Sequence, residues 1–281
     1  INTLYQGDCL EVMQAIEAAS VDMILCDLPY GITACNWDTV IPFEPLWAQY
    51  KRIIKPHGAI VLTANQPFTS ALVMSNPKMF RHVWVWDKHI PRGLQTARFK
   101  PMVKHEDVLV FSSERLNYYP IKTPLSKPRF ARNCGQSKSS NVTNDINKTF
   151  RYVDKNPNTI ITGLWEPNAG KIHPTQKPVA LFEYLIKTYT KPGQLVLDNC
   201  AGSGTTGIAA RNTGRDFILI EQDAGYCEAI VKRMRLISAN EGIGWSSFLS
   251  TDQSAAWTIA SDEEATAAHN ERADTLQLAL I

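Results

Sequence analysis

Three short apolar runs in this chain each stop at an acid. Val21–Cys26 ends before Asp27, Gln194–Leu197 ends before Asp198, and Asp216–Ile220 ends before Glu221. A run that is apolar at nearly every position reads as a strand buried on both faces, and such strands belong to parallel sheets with helices on either side. Helical spacing lies between them, over Leu10–Ala19, Phe43–Ile54, Pro67–Met74, Val179–Thr190, Thr205–Asn212 and Gly225–Ile237. Lys55-Pro56-His57-Gly58 stops the second of these. Further strands are expected over Leu4–Gly7, Ala59–Ala64, His82–Asp87 and Asp107–Ser112. This alternation predicts a doubly wound α/β sheet.

The length of 281 residues suits one large domain, or one domain with an insertion. No run approaches the roughly 18 apolar residues that span a bilayer, so no membrane association is expected. The chain begins at Ile1, so a start further upstream is expected; no signal-peptide pattern opens it. Cys9, Cys26, Cys35, Cys134, Cys200 and Cys227 are scattered without a CxxC pair. Reduced cysteines in a cytoplasmic protein, and no metal site, are the expectation.

The pattern breaks near Asn117. Residues 117–172 hold Lys122, Lys127, Arg129, Arg132, Lys138, Lys148, Arg151, Lys155 and Lys171 against Asp145, Asp154 and Glu166. A structureless stretch of this length inside a domain is usually functional or disordered. The chain therefore divides at sequence level into 1–116, a basic insert 117–172, a second α/β part 173–238, and an acidic tail 239–281 expected to be loosely docked.

"LVLDNCAGSGTTG" (195–207) places Gly202, Gly204 and Gly207 between a strand and a helix. That is the setting of a nucleotide-binding turn, where glycine lets the backbone approach a ligand closely. The spacing matches GxGxxG, so a nicotinamide or flavin dinucleotide is one reading. Asp198 argues against it, because a carboxylate at the strand tip repels a pyrophosphate and attracts a cationic tail. No Lys follows the loop as a triphosphate would require. A nucleoside with a positive tail, such as S-adenosylmethionine, fits better, with Glu221 placed to accept from ribose hydroxyls.

Asp27-Leu28-Pro29-Tyr30 ends the strand Val21–Cys26. A carboxylate and a main-chain carbonyl each accept one N–H from a planar exocyclic amine, which favours the positive, pyramidal nitrogen of a transition state. Pro29 stiffens the turn, and Tyr30 offers a ring for stacking. This stretch resembles the Asp-Pro-Pro-Tyr motif of amino-methylating DNA methyltransferases, and "DNCAGSGTTG" resembles their S-adenosylmethionine motif. The order of the two motifs, with a basic insert between them and "HPTQKP" (173–178) before the cofactor half, resembles the beta class of adenine-N6 and cytosine-N4 enzymes.

That resemblance covers roughly Leu4 to Ile237 and implies a fold: a doubly wound, mostly parallel seven-stranded sheet of the S-adenosylmethionine-dependent type, circularly permuted, with a target-recognition insert. It also implies roles. Asp27 and the Leu28 carbonyl would hold the target amine, on a turn stiffened by Pro29, and Tyr30 would stack on the flipped base. Asp198, Ala201, Gly202, Gly204 and Thr205 would line the methionine part of the cofactor, Glu221 would bind ribose, and Asp8 and Cys9 would border adenine. Thr175 and Lys177 would reach the cofactor carboxylate, with a solvated lysine as the alternative at Lys177. Trp37-Asp38 and Asn65-Gln66-Pro67-Phe68 would form the mouth of the pocket or serve as loop packing. Leu28 departs from the family's usual proline and leaves the turn less rigid. Asp at the first motif position favours adenine, and no Pro-Cys context offers a carbon-5 nucleophile, so direct transfer is expected.

Methylating a paired base requires swinging it out of the stack while the enzyme grips phosphates. Lys122, Lys127, Arg129 and Arg132, interleaved with Phe130, Phe150 and Tyr152, are the expected DNA-binding residues, with Lys88 and Arg92 added from the first part. Double-stranded DNA is the expected partner, and adenine-N6 the expected target ahead of cytosine-N4. The rivals are a catalytically silent DNA-binding module, a methyltransferase for RNA or protein glutamine, and a nicotinamide dehydrogenase. No motif supports or excludes a homodimer, and none encodes a recognition sequence or a restriction endonuclease partner.

Overall fold

A computed structural model of the chain describes residues 2–31, 38–132, 149–166, 176–241, 247–251 and 256–260. Trp37, Thr175, Cys35 and Cys134 lie outside these residues. Strand β1 (Asn2–Gln6) leads into the short helix α1 (Cys9–Val12), capped by the Asp8 carboxylate, which accepts from Leu10 N at 2.8 Å. The helix expected over Leu10–Ala19 ends early, in a single 3-10 turn over Met13–Ala15. The Arg52 guanidinium takes the carbonyls of Met13 and Ile16 there, at 2.5 and 2.6 Å, so the chain turns instead of coiling on.

Strand β2 (Val21–Cys26) is buried at all six positions, as a central parallel strand must be. Helix α2 (Phe43–Ile53) buries Leu46, Trp47, Tyr50 and Ile53, a single face at helical spacing. Then follow β3 (Ile54–Ala64), α3 (Phe68–Ser75), β4 (Phe80–Arg92) and β5 (Val103–Phe111). The insert holds β6 (Thr123–Arg132), β7 (Thr149–Lys155) and β8 (Ile160–Ile161). The last part carries α4 (Val179–Tyr189), β9 (Leu195–Asp198), α5 (Thr205–Asn212), β10 (Asp216–Glu221), α6 (Ala224–Glu241), β11 (Ser247–Thr251) and β12 (Ala256–Ala260).

Among the described residues the main sheet has ten strands in the order β11-β12-β1-β10-β9-β2-β3-β5-β4-β8. β1, β10, β9, β2 and β3 run parallel, and β5 pairs antiparallel with both β3 and β4. The expected seven strands form the run from β1 to β4; β8 extends one edge, and β12 and β11 extend the other. The sheet is covered on both faces. Met23, Leu25, Ala59 and Val61 enter one apolar cluster, while Ile24, Cys26, Ile60 and Leu62 alternate into the other. Burying each larger member fully contributes roughly 1.5–3 kcal/mol.

Two expectations change here. The insert is not structureless: β6 and β7 make an antiparallel two-stranded ribbon, a sheet of its own. The chain after residue 238 is not only a tail, because it finishes α6 and supplies β11 and β12, the latter antiparallel to β1. "SFLST" and "AWTIA" hold the aromatic and β-branched residues that favour strands, and the surrounding acids masked them.

Candidate active site

In an open parallel sheet, ligands bind beyond the carboxyl ends of the strands, where the winding direction reverses. Here β9 and β2 are adjacent parallel strands at the middle of the sheet. Asp198 ends β9 and Asp27 follows β2, so residues 171 apart in sequence meet at one edge (198 minus 27). A single cavity of about 1480 Å³ opens there. Asp8, Cys9, Asp27, Leu28, Pro29, Tyr30, Lys88, Arg92, Glu106, Lys177, Asp198, Ala201, Gly202, Thr205 and Glu221 all line it.

Asp27 is the hub of a polar cluster. Its Oδ2 accepts from Lys177 Nζ at 2.8 Å, and its Oδ1 accepts from the hydroxyls of Tyr30 (2.7 Å) and Thr63. Glu106, only 4% exposed, is the second acid, with its Oε1 2.8 Å from both Lys177 Nζ and the Tyr30 hydroxyl. Lys88 Nζ stands 3.5 Å from Glu106 Oε2. The cluster thus matches two acids with two ammonium groups, as burial of charge demands. Burial alone would lower the Lys177 pKa, but the adjacent Asp27 and Glu106 carboxylates raise it, so the ammonium stays charged. Burial, with the Asp27 and Glu106 charges adding to it, pushes the Tyr30 phenol well above its ordinary value. Tyr30 has one proton for the three oxygens around it, so it stays a neutral donor within the cluster.

The rest of the Asp27–Tyr30 turn is fixed by packing. Leu28 is 4% exposed and joins the apolar cluster below the sheet edge, which gives the leucine at this position a structural use. The Tyr30 ring lies against Phe68 at 5.2 Å between centroids and 28° between planes. Gly31 N donates to Asp38 Oδ1 at 2.8 Å, and Asp38 and Asn65 both line the cavity.

The glycine-rich turn is closed by two acids. Burial pushes the Asp198 carboxyl up to about 6, while Thr206 Oγ1 and Cys200 N, the latter at 3.0 Å, donate to it. Glu221 Oε2 accepts from Gly202 N at 2.7 Å and its Oε1 from Asp223 N at 2.9 Å; burial raises its pKa. The glycines divide by cause. Gly202 has φ +52° and lies on the cavity. Gly204 does not line it: its φ is +74°, and a Cβ there would sit 3.0 Å from Ile230. A Cβ on Gly207 would meet Met234 and Leu219. These two glycines answer to helix packing against α6 and β10. Thr205 is buried, and its hydroxyl donates to the Lys177 carbonyl at 3.4 Å, tying the two halves of the site together.

The family model described as DNA methylase, for N6/N4 methyltransferases, matches residues 21–232, well over half of the chain. The chain belongs to the N6/N4 DNA methylase family. Its relatives include the type II methyltransferase M2.MboI of Moraxella bovis, 30% identical over 260 residues, covering 84% of this chain and 88% of the relative. Another is the type II methyltransferase M1.MboII of the same organism, 27% identical over 252 residues, covering 80% and 94%. Among solved structures, the M1.HpyAVI complex with S-adenosylmethionine matches with a TM-score of 0.56 at 24% identity, over 83% of this chain and 100% of that one. The cytosine-N4-specific PvuII methyltransferase matches with a TM-score of 0.56 at 17% identity, over 82% and 85%. These two likenesses show the fold.

In this methylase the structure brings most of the sequence-selected residues onto one cavity and leaves others apart. Lys177 is 8% exposed, so it is not a solvated lysine, and its ammonium is held at Asp27 and Glu106. Lys88 pairs with Glu106 beside the pocket, with a side chain 18% exposed. Lys127 and Arg129 stand exposed on β6, Arg132 is the last residue of that strand, and Lys122 just before it pairs with Asp154 at 3.2 Å. Glu106 and Thr63 went unselected, as did Trp165, which lines the cavity with its ring stacked on His89 at 4.8 Å. An acid opening the apolar strand Asp107–Ser112 was the available signal for Glu106; nothing local marked Thr63. Among the described residues no group of three or more His, Cys, Asp or Glu could hold a metal ion, and no helix is long and apolar enough to cross a membrane.

Proposed function

We propose that this methylase transfers the methyl group of S-adenosylmethionine to the exocyclic N6 of adenine in duplex DNA, on a base swung out of the helix. The observation that carries this reading is Asp27: a carboxylate held by Lys177, Thr63 and Tyr30 in the same cavity as Gly202 and Glu221. The cavity, about 1480 Å³, exceeds the range of roughly 300–1,000 Å³ usual for one small ligand, so it accommodates a base and a cofactor together. The donor set suits the cofactor. Glu221 keeps a second lone pair on each oxygen for ribose hydroxyls, and Asp8 and Cys9 border the same space.

When bound, the cofactor supplies the electrophilic methyl group. Asp27 and the Leu28 carbonyl accept the two amine N–H groups, which draws the nitrogen out of conjugation and stabilises the positive charge it gains. Lys177, anchored in turn by Glu106, holds Asp27 in place, so little reorganisation is needed at the moment of transfer. Phe68 backs the Tyr30 ring on one side, and the base stacks on the other. The order of the motifs along the chain supports a circularly permuted arrangement, with the β6–β7 ribbon as the target reader.

The test is transfer of labelled methyl from S-adenosylmethionine to mixed-sequence duplex DNA, followed by nucleoside analysis, with Asp27→Ala in parallel. Label in N6-methyladenine, falling at least about a hundredfold in the variant, is expected. Label in N4-methylcytosine would overturn the base assignment, and no label on DNA with cofactor bound would overturn the reading.

A further inference from the structure

We propose that the tip of the β4–β5 hairpin, with Phe99 at its apex, is a wedge that enters the DNA stack beside the extruded base. The proposal rests on the DNA-methylation reading of the pocket and adds the segment that keeps the duplex open.

From Lys88 to His105 the chain carries Lys88, Arg92, Arg98, Lys100 and Lys104 and no acid; at the stem Lys88 pairs with Glu106 at 3.5 Å and Lys104 with Asp87 at 3.1 Å, and Arg98 and Lys100 flank the tip. Within this basic frame two apolar side chains are thrust into water: Leu94 is 74% exposed and Phe99 84%. The tip that presents them is a folded turn. Gly93, at φ +96°, starts a 3-10 turn over Leu94–Thr96, and Phe99 N and Lys100 N both donate to Thr96 O, at 2.9 and 3.1 Å. An ordered turn that holds a phenyl ring away from all cover, inside a cationic collar, is complementary to a partner with anionic phosphates outside and stacked rings within. Duplex DNA has that chemistry, and apolar side chains inserted between base steps are a known way to hold it unstacked. The Arg98 guanidinium lies 5.9 Å from the Phe99 ring centroid, so a phosphate held by Arg98 brings the ring to the neighbouring base step.

The hairpin is tied to the pocket by its own stem. Glu106, in the Asp27 cluster, is three residues from Val103, where β5 last pairs with β4. At about 3.3 Å per residue the tip begins roughly 10 Å from that cluster. On the other strand the register shifts between Asp87 and Arg92, with His89 at φ +66°, and Lys88, Ile90 and Arg92 line the cavity. One hairpin therefore forms both a wall of the base pocket and the exposed apex. Phe130, 69% exposed, is the competing aromatic, but it lies on the β6–β7 ribbon, which among the described residues shares no hydrogen-bond ladder with the main sheet.

A wedge acts by offsetting the cost of breaking the target pair, so its worth falls when that pair is already broken. After wild-type methylation has mapped the modified site, kcat/KM is measured on two duplexes: one with the target base paired, one with it opposite an abasic position. Phe99→Ala is expected to lose about tenfold or more on the paired duplex and to stay within about threefold of wild type on the abasic one. Phe99→Trp is expected to restore the paired rate, and Phe130→Ala to show no difference between the substrates. Equal loss on both duplexes, no loss on either, or a pair-dependent loss at Phe130 alone would overturn the wedge. A wild-type protein that leaves no methyl group on DNA at the mapping step would overturn the methylation reading, and the wedge with it. Thermal melting of each variant, expected at the wild-type midpoint for so exposed a side chain, separates these outcomes from misfolding.

Discussion

Asp27 and Asp198 stand side by side at the ends of neighbouring strands, yet their surroundings give them different chemistry. Asp27 sits between ammonium and hydroxyl groups and is the charged partner for an amine. Asp198 is 3% exposed, with no cation among its described partners, and burial lifts its carboxyl from the ordinary 3.8 to about 6. The sign follows from linkage. A raised folded-state value stabilises the fold fully while the group is protonated in both states, and that contribution is lost as pH climbs through about 6. Between about pH 4.5 and about pH 7.5 the wild type should lose about 2 kcal/mol more unfolding free energy than Asp198→Asn, which has nothing to titrate there. Urea unfolding of both proteins at the two pH values checks this, and parallel slopes would refute it. Asp27, Asp198 and Glu221 were legible because an acid that ends an apolar strand stands out. Glu106 and Thr63 were not, because their partners lie far along the chain: Tyr30 is 76 residues from Glu106, and Asp27 is 36 from Thr63.

Elements were legible where one physical rule governed them. β2 is apolar at every position but the buried Asp22, and its sequence bounds match the structure to the residue, as do those of α5 between its glycine turn and Asn212. β3 was cut short because Lys55-Pro56-His57-Gly58 reads as a stop. In the structure these residues bulge within the strand: Val21 pairs with Ile54 but Met23 with Ala59, so the four residues Lys55–Gly58 lie opposite Asp22 alone. Gly58 makes the bulge feasible, since a Cβ there would come within 2.8 Å of the Asp22 carbonyl and 2.7 Å of Ile54. The backbone oxygen cannot step aside as a side chain can. Gly58→Ala should therefore cost about 1–3 kcal/mol, read as a lowered urea midpoint with an unchanged m-value. A midpoint equal to wild type would mean that the bulge absorbs the methyl group. The ribbon is hard to read for a different reason, because its exposed, charge-rich strands lack the apolar periodicity on which reading depends, and the last two strands because they are short and stand among acids.

At the scale of the molecule, the parallel sheet does the assembling. Its carboxyl edge gathers Asp8, Asp27, Asp198 and Glu221 from β1, β2, β9 and β10, although the chain between β2 and β9 runs through three further strands of the sheet and the whole insert. The net charge of +2 conceals how unevenly charge is spread. Lys127 and Arg129 project from β6, which ends at Arg132, with Arg151 opposite Phe130, in a ribbon whose described side chains are mostly exposed. If that ribbon holds phosphates, its contribution is counterion release and must appear as salt dependence. Replacing Lys127, Arg129 and Arg132 together by Gln should reduce the slope of log K against log salt for duplex binding by up to about 2.7, at roughly 0.9 per phosphate contact. Because Lys127 and Arg129 are not among the residues that line the cavity, kcat at saturating DNA should stay within about twofold of wild type, and the loss should fall on KM. An unchanged salt slope would remove the ribbon from the DNA interface and leave the β4–β5 hairpin, with Arg92, Arg98, Lys100 and Lys104, as the principal phosphate grip.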